Sequence, residues 1–218
     1  MRYNKVIIWG AGGHAKVVAD IICLQGVFEI AGFLDSTDVQ RHGKKFCSAT
    51  ILGGAEQLQP LRHQGVRHGI VAIGDNQARL RLADKLATSG FELALAIHPS
   101  AIVATDVRIG AGTVVAAGAV INPGCSIGKN VIINTGATVD HDCHIDDGCH
   151  ISPGAHIAGN VTIGRCSWIG LGASVIEKLT IGADATVGAG ALVIRNVASR
   201  VVVAGHPARA IEPNSAAD

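Results

Sequence analysis

From Ile97 to Val193 every sixth residue is Ile or Val, at seventeen positions out of seventeen. Neither the 3.6-residue turn of an α-helix nor the two-residue alternation of an ordinary strand produces a beat of six. A second register runs beside the first. Four residues after most of these aliphatics stands a small side chain, as at Thr113, Ala119, Cys125, Ala137, Cys143, Cys149, Ala155 and Ser167, and glycine often follows the aliphatic directly, as in Ile109-Gly110 and Ile163-Gly164. One bulky and one crowded inward position per hexad predict short strands wound around a triangular prism with three hexads to a turn, a parallel β-helix. The seventeen hexads make about five to six turns, roughly 25 to 30 Å of prism at about 4.8 Å per layer. Composition agrees: 48% of the residues are hydrophobic but only 3% aromatic, which suits a slim repetitive core better than a broad one. Residues eighteen apart then share a face and a corner, so His141 stacks between Pro123 and Gly159, and Leu171 lies under Ala189.

Several classes are excluded by charge and patterning. A formal charge of +1, from 18 basic and 17 acidic residues without basic runs, argues against nucleic acid or an anionic membrane as partner. Ile109 to Gly128 carries no charged residue, yet Gly110, Gly112, Gly118, Asn122, Pro123 and Gly124 and the six-residue beat argue against a membrane span. Met1 to Gly10 lacks the pattern of an export leader, so a cytoplasmic location is expected. In that reducing setting the six cysteines are expected as thiols. Cys125, Cys143 and Cys149 fall on the small inward position and read as core fillers. The spacing of Cys143-His144 and Cys149-His150 is the repeat itself and matches no zinc signature, so no metal is expected.

The N-terminal part has a different grammar. An apolar strand over residues 5 to 9 runs into Gly10-Ala11-Gly12-Gly13-His14-Ala15, then a helix over Lys16 to Gln25 and a strand over Phe28 to Leu34 that ends in Asp35. A further strand, Gly69 to Ile73, leads into Gly74-Asp75-Asn76 and a helix from Gln77 to Ser89. This βαβ alternation predicts a small Rossmann-like α/β domain over 1–95, followed by the β-helix with its C-terminal tail over 96–218. Gly10, Gly12 and Ala15 satisfy the glycine fingerprint that brings a phosphate to a helix N-terminus, and Asp35 stands where an acidic residue reaches a ribose. About 95 residues are too few for a complete dinucleotide reductase. Half such a site suits the nucleotide of a nucleotide-sugar.

Taken together, Gly-Ala-Gly-Gly-His-Ala (10 to 15), Ala-Ile-Gly-Asp-Asn (72 to 76), Ile-His-Pro-Ser-Ala (97 to 101), Ile-Asn-Thr-Gly-Ala-Thr-Val-Asp-His-Asp-Cys (133 to 143) and Gly-His-Pro-Ala-Arg (205 to 209) resemble the bacterial nucleotide-sugar acetyltransferases. That family includes UDP-N-acetylbacillosamine and GDP-perosamine N-acetyltransferases and is grouped with sialic acid O-acetyltransferases. The resemblance implies a left-handed coil, a homotrimer and acetyl-CoA bound between subunits. It implies that His141 is the general base, that Asp142 or Asp140 orients it, and that Asn134 helps to position the acceptor. By the same resemblance His150 and Gly159 face the thioester, Leu171, Ala189 and Arg209 serve the rest of acetyl-CoA, and Gly12, Gly13, His14, Asp35, Gly74 and Asn76 meet the nucleotide-sugar. The chemistry fits, because moving an acetyl group to an amine requires a proton acceptor that works near neutral pH, and histidine is that side chain. His144 and His156 read as solvated.

The expected activity is therefore acetyl-CoA-dependent N-acetylation of a nucleotide-linked 4-amino-4,6-dideoxy sugar by direct attack. Two other readings stand beside it. One keeps the fold but acetylates a hydroxyl, as in the sialic acid type; the other is a hexapeptide-repeat protein that binds without catalysing.

Overall fold

The computed structural model describes residues 4–213; the first three residues of the leader reading and the last five of the tail lie outside them. The chain divides into two compact units, Met1–Pro99 and Ser100–Asp218.

The first unit is an α/β sandwich. Strand β1 (Asn4–Trp9) leads to helix α1 (Gly13–Gln25) and β2 (Phe28–Leu34); then come β3 (Lys45–Phe46), β4 (Ala49–Gly53), α2 (Leu58–His63), β5 (His68–Val71), α3 (Asn76–Thr88) and β6 (Glu92–Leu93). The sheet order is β3-β4-β2-β1-β5-β6, parallel except for the β3–β4 hairpin. Val6 to Trp9 are buried, as an interior parallel strand requires, and α1 covers the sheet with Ala15, Val18, Ala19, Ile21 and Ile22. Helix α3 starts where the Asp75 carboxylate accepts the Ala78 N–H at 2.6 Å, an N-cap. Because β2 and β5 lie on opposite sides of β1, the chain reverses its winding at β1, and the crevice at the carboxyl ends of these strands is where such sheets bind ligands.

The elements between residues 35 and 67 are absent from the sequence reading. Strand β3 has two residues and β4 five, too short for a periodicity to separate them from loop. The elements that were read agree with the structure to within a few residues at their ends.

The six-residue beat is realised as two-residue strands from β7 (Ala96–Ile97) to β23 (Leu192–Val193), each ending on one of the beat aliphatics. In the second unit they stack into three parallel sheets, one per face of a β-helix, with partners eighteen residues apart: Ile132 opposite His150, His150 opposite Trp168, Thr138 opposite His156. A hairpin of β24 (Val201–Gly205) and β25 (Ala208–Pro213) extends the first face.

Two devices hold the coil. First, from Gly112 to Gly190 every sixth residue has a left-handed backbone, with φ between 52° and 78°. Gly, Asn and Asp, the residues that tolerate this conformation best, hold twelve of these fourteen corners; Cys166 and Lys178 hold the others. Second, the small inward positions satisfy backbone carbonyls of the next rung. Cys125 Sγ donates to Asp140 O at 2.9 Å, Cys143 to Ala158 O at 3.1 Å, Cys149 to Gly164 O at 3.1 Å, and Ser167 Oγ to Gly182 O at 2.6 Å. These cysteines are buried fillers and form no disulfide. Among the described residues no three potential metal ligands converge, and no helix is long and apolar enough to cross a membrane.

The glycine after an inward aliphatic is required by close approach between rungs. A Cβ on Gly164 would lie 2.6 Å from the amide nitrogen of Ala183 and 3.0 Å from its Cα, both backbone atoms that cannot move aside alone. Gly164→Ala is therefore expected to destabilise the coil by about 1–3 kcal/mol, read as a lowered midpoint in thermal unfolding; an unchanged midpoint would contradict this packing.

Candidate active site

Three groups of predicted residues occupy three places. The first is a corner of the β-helix. Asp142 is one of the left-handed corner residues (φ 57°), and this turn directs its carboxylate back to the preceding side chain, so that Asp142 Oδ2 lies 2.8 Å from His141 Nδ1. A carboxylate can only accept, so the proton sits on Nδ1 and neutral His141 keeps the Nε2 lone pair for a substrate. Asp140 does a different job: its Oδ1 accepts the His141 backbone N–H at 2.8 Å and the Asn122 amide at 2.9 Å. The alternative left between the two carboxylates is decided by geometry in favour of Asp142 as the ring's partner. The His141 ring is exposed and stands against Gly159 on the next rung, where a Cβ would meet its Nε2 at 2.6 Å. The hydrogen bond to Asp142, offset in part by desolvation and aided by the negative charge of Asp140, raises the His141 pKa above the usual imidazole value.

The second place is a groove on the β16–β19–β22 face, where β16 is His150–Ile151, β19 is Trp168–Ile169 and β22 is Thr186–Val187. It has a volume of about 450 Å³ and is lined by His150, Ser152, Trp168, Leu171, Thr186 and Ala189 among others. His150 is buried and Leu171 exposed, so the groove takes one side chain from the core margin and one from the surface. Asn134 belongs here. The Thr135 N–H bonds to Asn134 Oδ1 at 2.8 Å, which fixes the amide so that Nδ2 donates to His150 Nε2 at 3.1 Å. Asn134 thus orients His150. His141 and the groove occupy different corners of the prism, since residues 134–136 and 140–142 are successive turns.

The third place is the crevice of the first unit, about 470 Å³, lined by Trp9, Gly10, Gly12, Asp35, Arg41 and Arg81 among others. Asp35 is largely engaged within the chain: Oδ1 accepts the Thr37 N–H at 3.0 Å, the Thr37 hydroxyl at 2.7 Å and the Asp38 N–H at 3.3 Å, and Oδ2 takes Arg41 at 3.1 Å. Desolvation works against its charge, but these bonds and the Arg41 cation outweigh it and hold the carboxyl below its ordinary pKa. Arg41 also donates to Ala11 O at 2.9 Å, tying Asp35 to the glycine loop. Gly13 and His14 open α1. Burial first, and the Arg79 charge second, push the His14 pKa down to about 4, so this imidazole is neutral at physiological pH. Arg79, fully buried, donates to Gly74 O at 3.1 Å and to Asn76 Oδ1 at 2.8 Å, so Gly74 and Asn76 anchor the start of α3. Arg209 lies exposed on β25, its guanidinium on the Ala208 carbonyl at 2.8 Å.

Sequence reasoning missed Trp168, Ser152, Arg41 and Asn122. A signal existed for Trp168: it is one of only two tryptophans, and it stands on an outward strand position eighteen residues after His150.

Comparisons with known proteins cover both units. Residues 5–86 match the family described as PglD N-terminal domain, and residues 124–159 match bacterial transferase hexapeptide (six repeats). UDP-N-acetylbacillosamine N-acetyltransferase of Bacillus subtilis (strain 168) is 39% identical over 112 residues; the match spans 51% of this chain and 51%, about half, of that relative. PerB of Caulobacter crescentus, solved in complex with CoA and GDP-perosamine, is 42% identical with a TM-score of 0.92, covering 97% of this chain and 99% of that one. The H141N mutant of perosamine N-acetyltransferase from the same organism is likewise 42% identical with a TM-score of 0.92, covering 97% of this chain and 98% of that one. The acetyltransferase domain of PglB from Neisseria gonorrhoeae, in complex with acetyl coenzyme A, is 39% identical with a TM-score of 0.90, covering 96% of this chain and 100% of that one. The likeness includes the left-handed hand of the coil.

Two expectations follow from the corner. In Gly159→Ala the new methyl displaces only the exposed His141 ring, so turnover should fall by up to about a hundredfold while the unfolding midpoint barely moves; equal loss of both would contradict it. In Asp142→Asn, which keeps a residue tolerant of the left-handed corner, His141 loses the carboxylate that raises its pKa. With His141 expected as the base, which must be unprotonated, activity is expected to rise with pH through that pKa, and the variant's acid limb should shift to lower pH on a reduced plateau. An acid limb that stays in place in a pH–rate profile would contradict the pairing.

Proposed function

The chain belongs to the hexapeptide-repeat nucleotide-sugar N-acetyltransferases, and we propose that it moves the acetyl group of acetyl-CoA to the amine of a nucleotide-linked 4-amino-4,6-dideoxy sugar, with His141 as the base. The observation that carries this reading is the exposed His141–Asp142 pair at 2.8 Å, with the ring held over Gly159. The amine nitrogen bonds to the thioester carbonyl carbon, and His141 Nε2 takes the proton that the nitrogen sheds. The tetrahedral intermediate then collapses, the C–S bond breaks, and the CoA sulfur leaves with a proton. Asp142 stabilises the imidazolium formed on the way. A backbone N–H near Gly159 is suited to the oxyanion. No thiol need take part, because Cys143 and Cys149 point into the core.

Residues 1–95 take the nucleotide in the crevice at Gly12 and Asp35, with Gly13, His14, Gly74 and Asn76 supporting its walls. The β-helix over 96–218 takes acetyl-CoA along the groove at His150, Leu171 and Ala189, with Arg209 near the CoA phosphates. Asn134 acts through His150. A chain's own His141 and its own groove sit at different corners, so a closed homotrimer in which one copy's corner meets the next copy's groove completes the site. Such a soluble enzyme is suited to the cytoplasm. The crystallised PerB and PglB relatives, with their CoA and acetyl coenzyme A, favour transfer over a silent scaffold, and GDP-perosamine favours an amine over a hydroxyl acceptor.

His141→Ala is expected to lower acetyl transfer by about a thousandfold while CoA binding, followed by calorimetry, stays within a few-fold of the parent. The substrate assay uses GDP-, UDP- and dTDP-linked 4-amino sugars with mass spectrometry of the product; O-acetylated product, or an unchanged rate in the variant, would overturn the assignment.

A further inference from the structure

The groove contains an aromatic side chain held in an unusual state. Trp168 is 44% exposed, yet it is immobilised on two sides. One face stacks on the His150 ring, with centroids 5.4 Å apart and planes inclined by 16°, and its single donor, Nε1, bonds at 2.7 Å to the hydroxyl of Ser152, itself only 4% exposed. An indole left for solvent has no need of an internal acceptor, and an indole meant for the core would be covered. The His150 ring that it presses on is in turn fixed by Asn134, whose amide the Thr135 N–H orients. Thr135, Asn134, His150, Trp168 and Ser152 therefore form one connected set that ends in a rigid aromatic wall of the groove. Apart from Thr186, the other walls, at Pro153, Leu171, Val187, Gly188 and Ala189, are apolar or backbone. The lining runs over three rungs, roughly 10 Å along the coil, which fits a slender, mostly aliphatic arm rather than a sugar, whose hydroxyls would find few partners.

We propose that Trp168 is an acetyl-CoA-contacting residue: its indole packs against the thiol-proximal part of the pantetheine arm and at the same time clamps His150 beside the thioester. This rests on the groove being the acetyl-CoA site of the proposed function. An alkyl-amide chain laid on a preorganised indole gains apolar contact without ordering a loose side chain, so the contribution falls on co-substrate binding more than on the chemical step.

The test uses intrinsic fluorescence and kinetics together. The chain has two tryptophans, and Trp9 is retained in the wild type and in both Trp168 variants. Titrating the wild type with CoA should give a saturable change in emission that W168F lacks, although calorimetry still detects CoA binding to W168F. Trp168→Ala should raise KM for acetyl-CoA about tenfold, an aromatic contact's worth, with kcat changed less than threefold, and W168F should recover most of that loss. An emission change of equal size in W168F, or calorimetric CoA binding to the wild type without any change, would overturn the role of Trp168 and leave the acetyltransferase reading intact. Absence of CoA binding to the wild type would overturn both.

Discussion

The second unit depends on parallel strands stacking in register at intervals of eighteen residues. Every side chain sits directly over another of the same kind of position, so whatever occupies a place on one rung must tolerate its neighbours above and below. Inward, this selects the run of Ile and Val and the thiols and hydroxyls that bond to the next rung's carbonyls. Outward, it turns single residues into columns, such as Ile132, His150, Trp168 and Thr186 on one face. Burying polar backbone in so slim a coil is tolerable only because each rung satisfies the next.

The site grows from the same rule. His141 is presented because it precedes a corner residue that must adopt a left-handed backbone, and Asp142 meets its ring because an aspartate at such a corner folds its carboxylate back. Gly159 is part of the device from one rung away, since only a hydrogen in place of Cβ leaves space for the imidazole. Placement of the imidazole–carboxylate pair and coil formation are thus satisfied by the same residues.

Much of this was legible in the sequence, and the boundary of legibility is physical. A strict beat of six over seventeen positions admits one architecture, and it also located the buried cysteines and the stacking of His141 on Gly159. The choice between Asp140 and Asp142 was not legible from composition, because both flank the histidine. It follows from which of them occupies the corner, a signal present in the regular recurrence of Gly, Asn and Asp every sixth residue. Trp168 is marked only by its rarity and by its place eighteen residues after His150, because the six-residue beat is carried by the inward positions and leaves the outward ones free to vary. The short strands between Asp35 and His68 escaped because two to five residues hold too little pattern, and the engagement of Asp35 by Thr37, Asp38 and Arg41 depends on that same loop's path.

The fourteen consecutive left-handed corners have a wider implication. Each presents the residue before it from an equivalent apex, so a histidine–aspartate couple transplanted by one full coil would meet the same local backbone. The coil thereby separates the placement of reactive groups from the maintenance of its own shape. Lineages built on it are free to relocate chemistry along the axis, or to lengthen the axis by whole coils, without redesigning the interior.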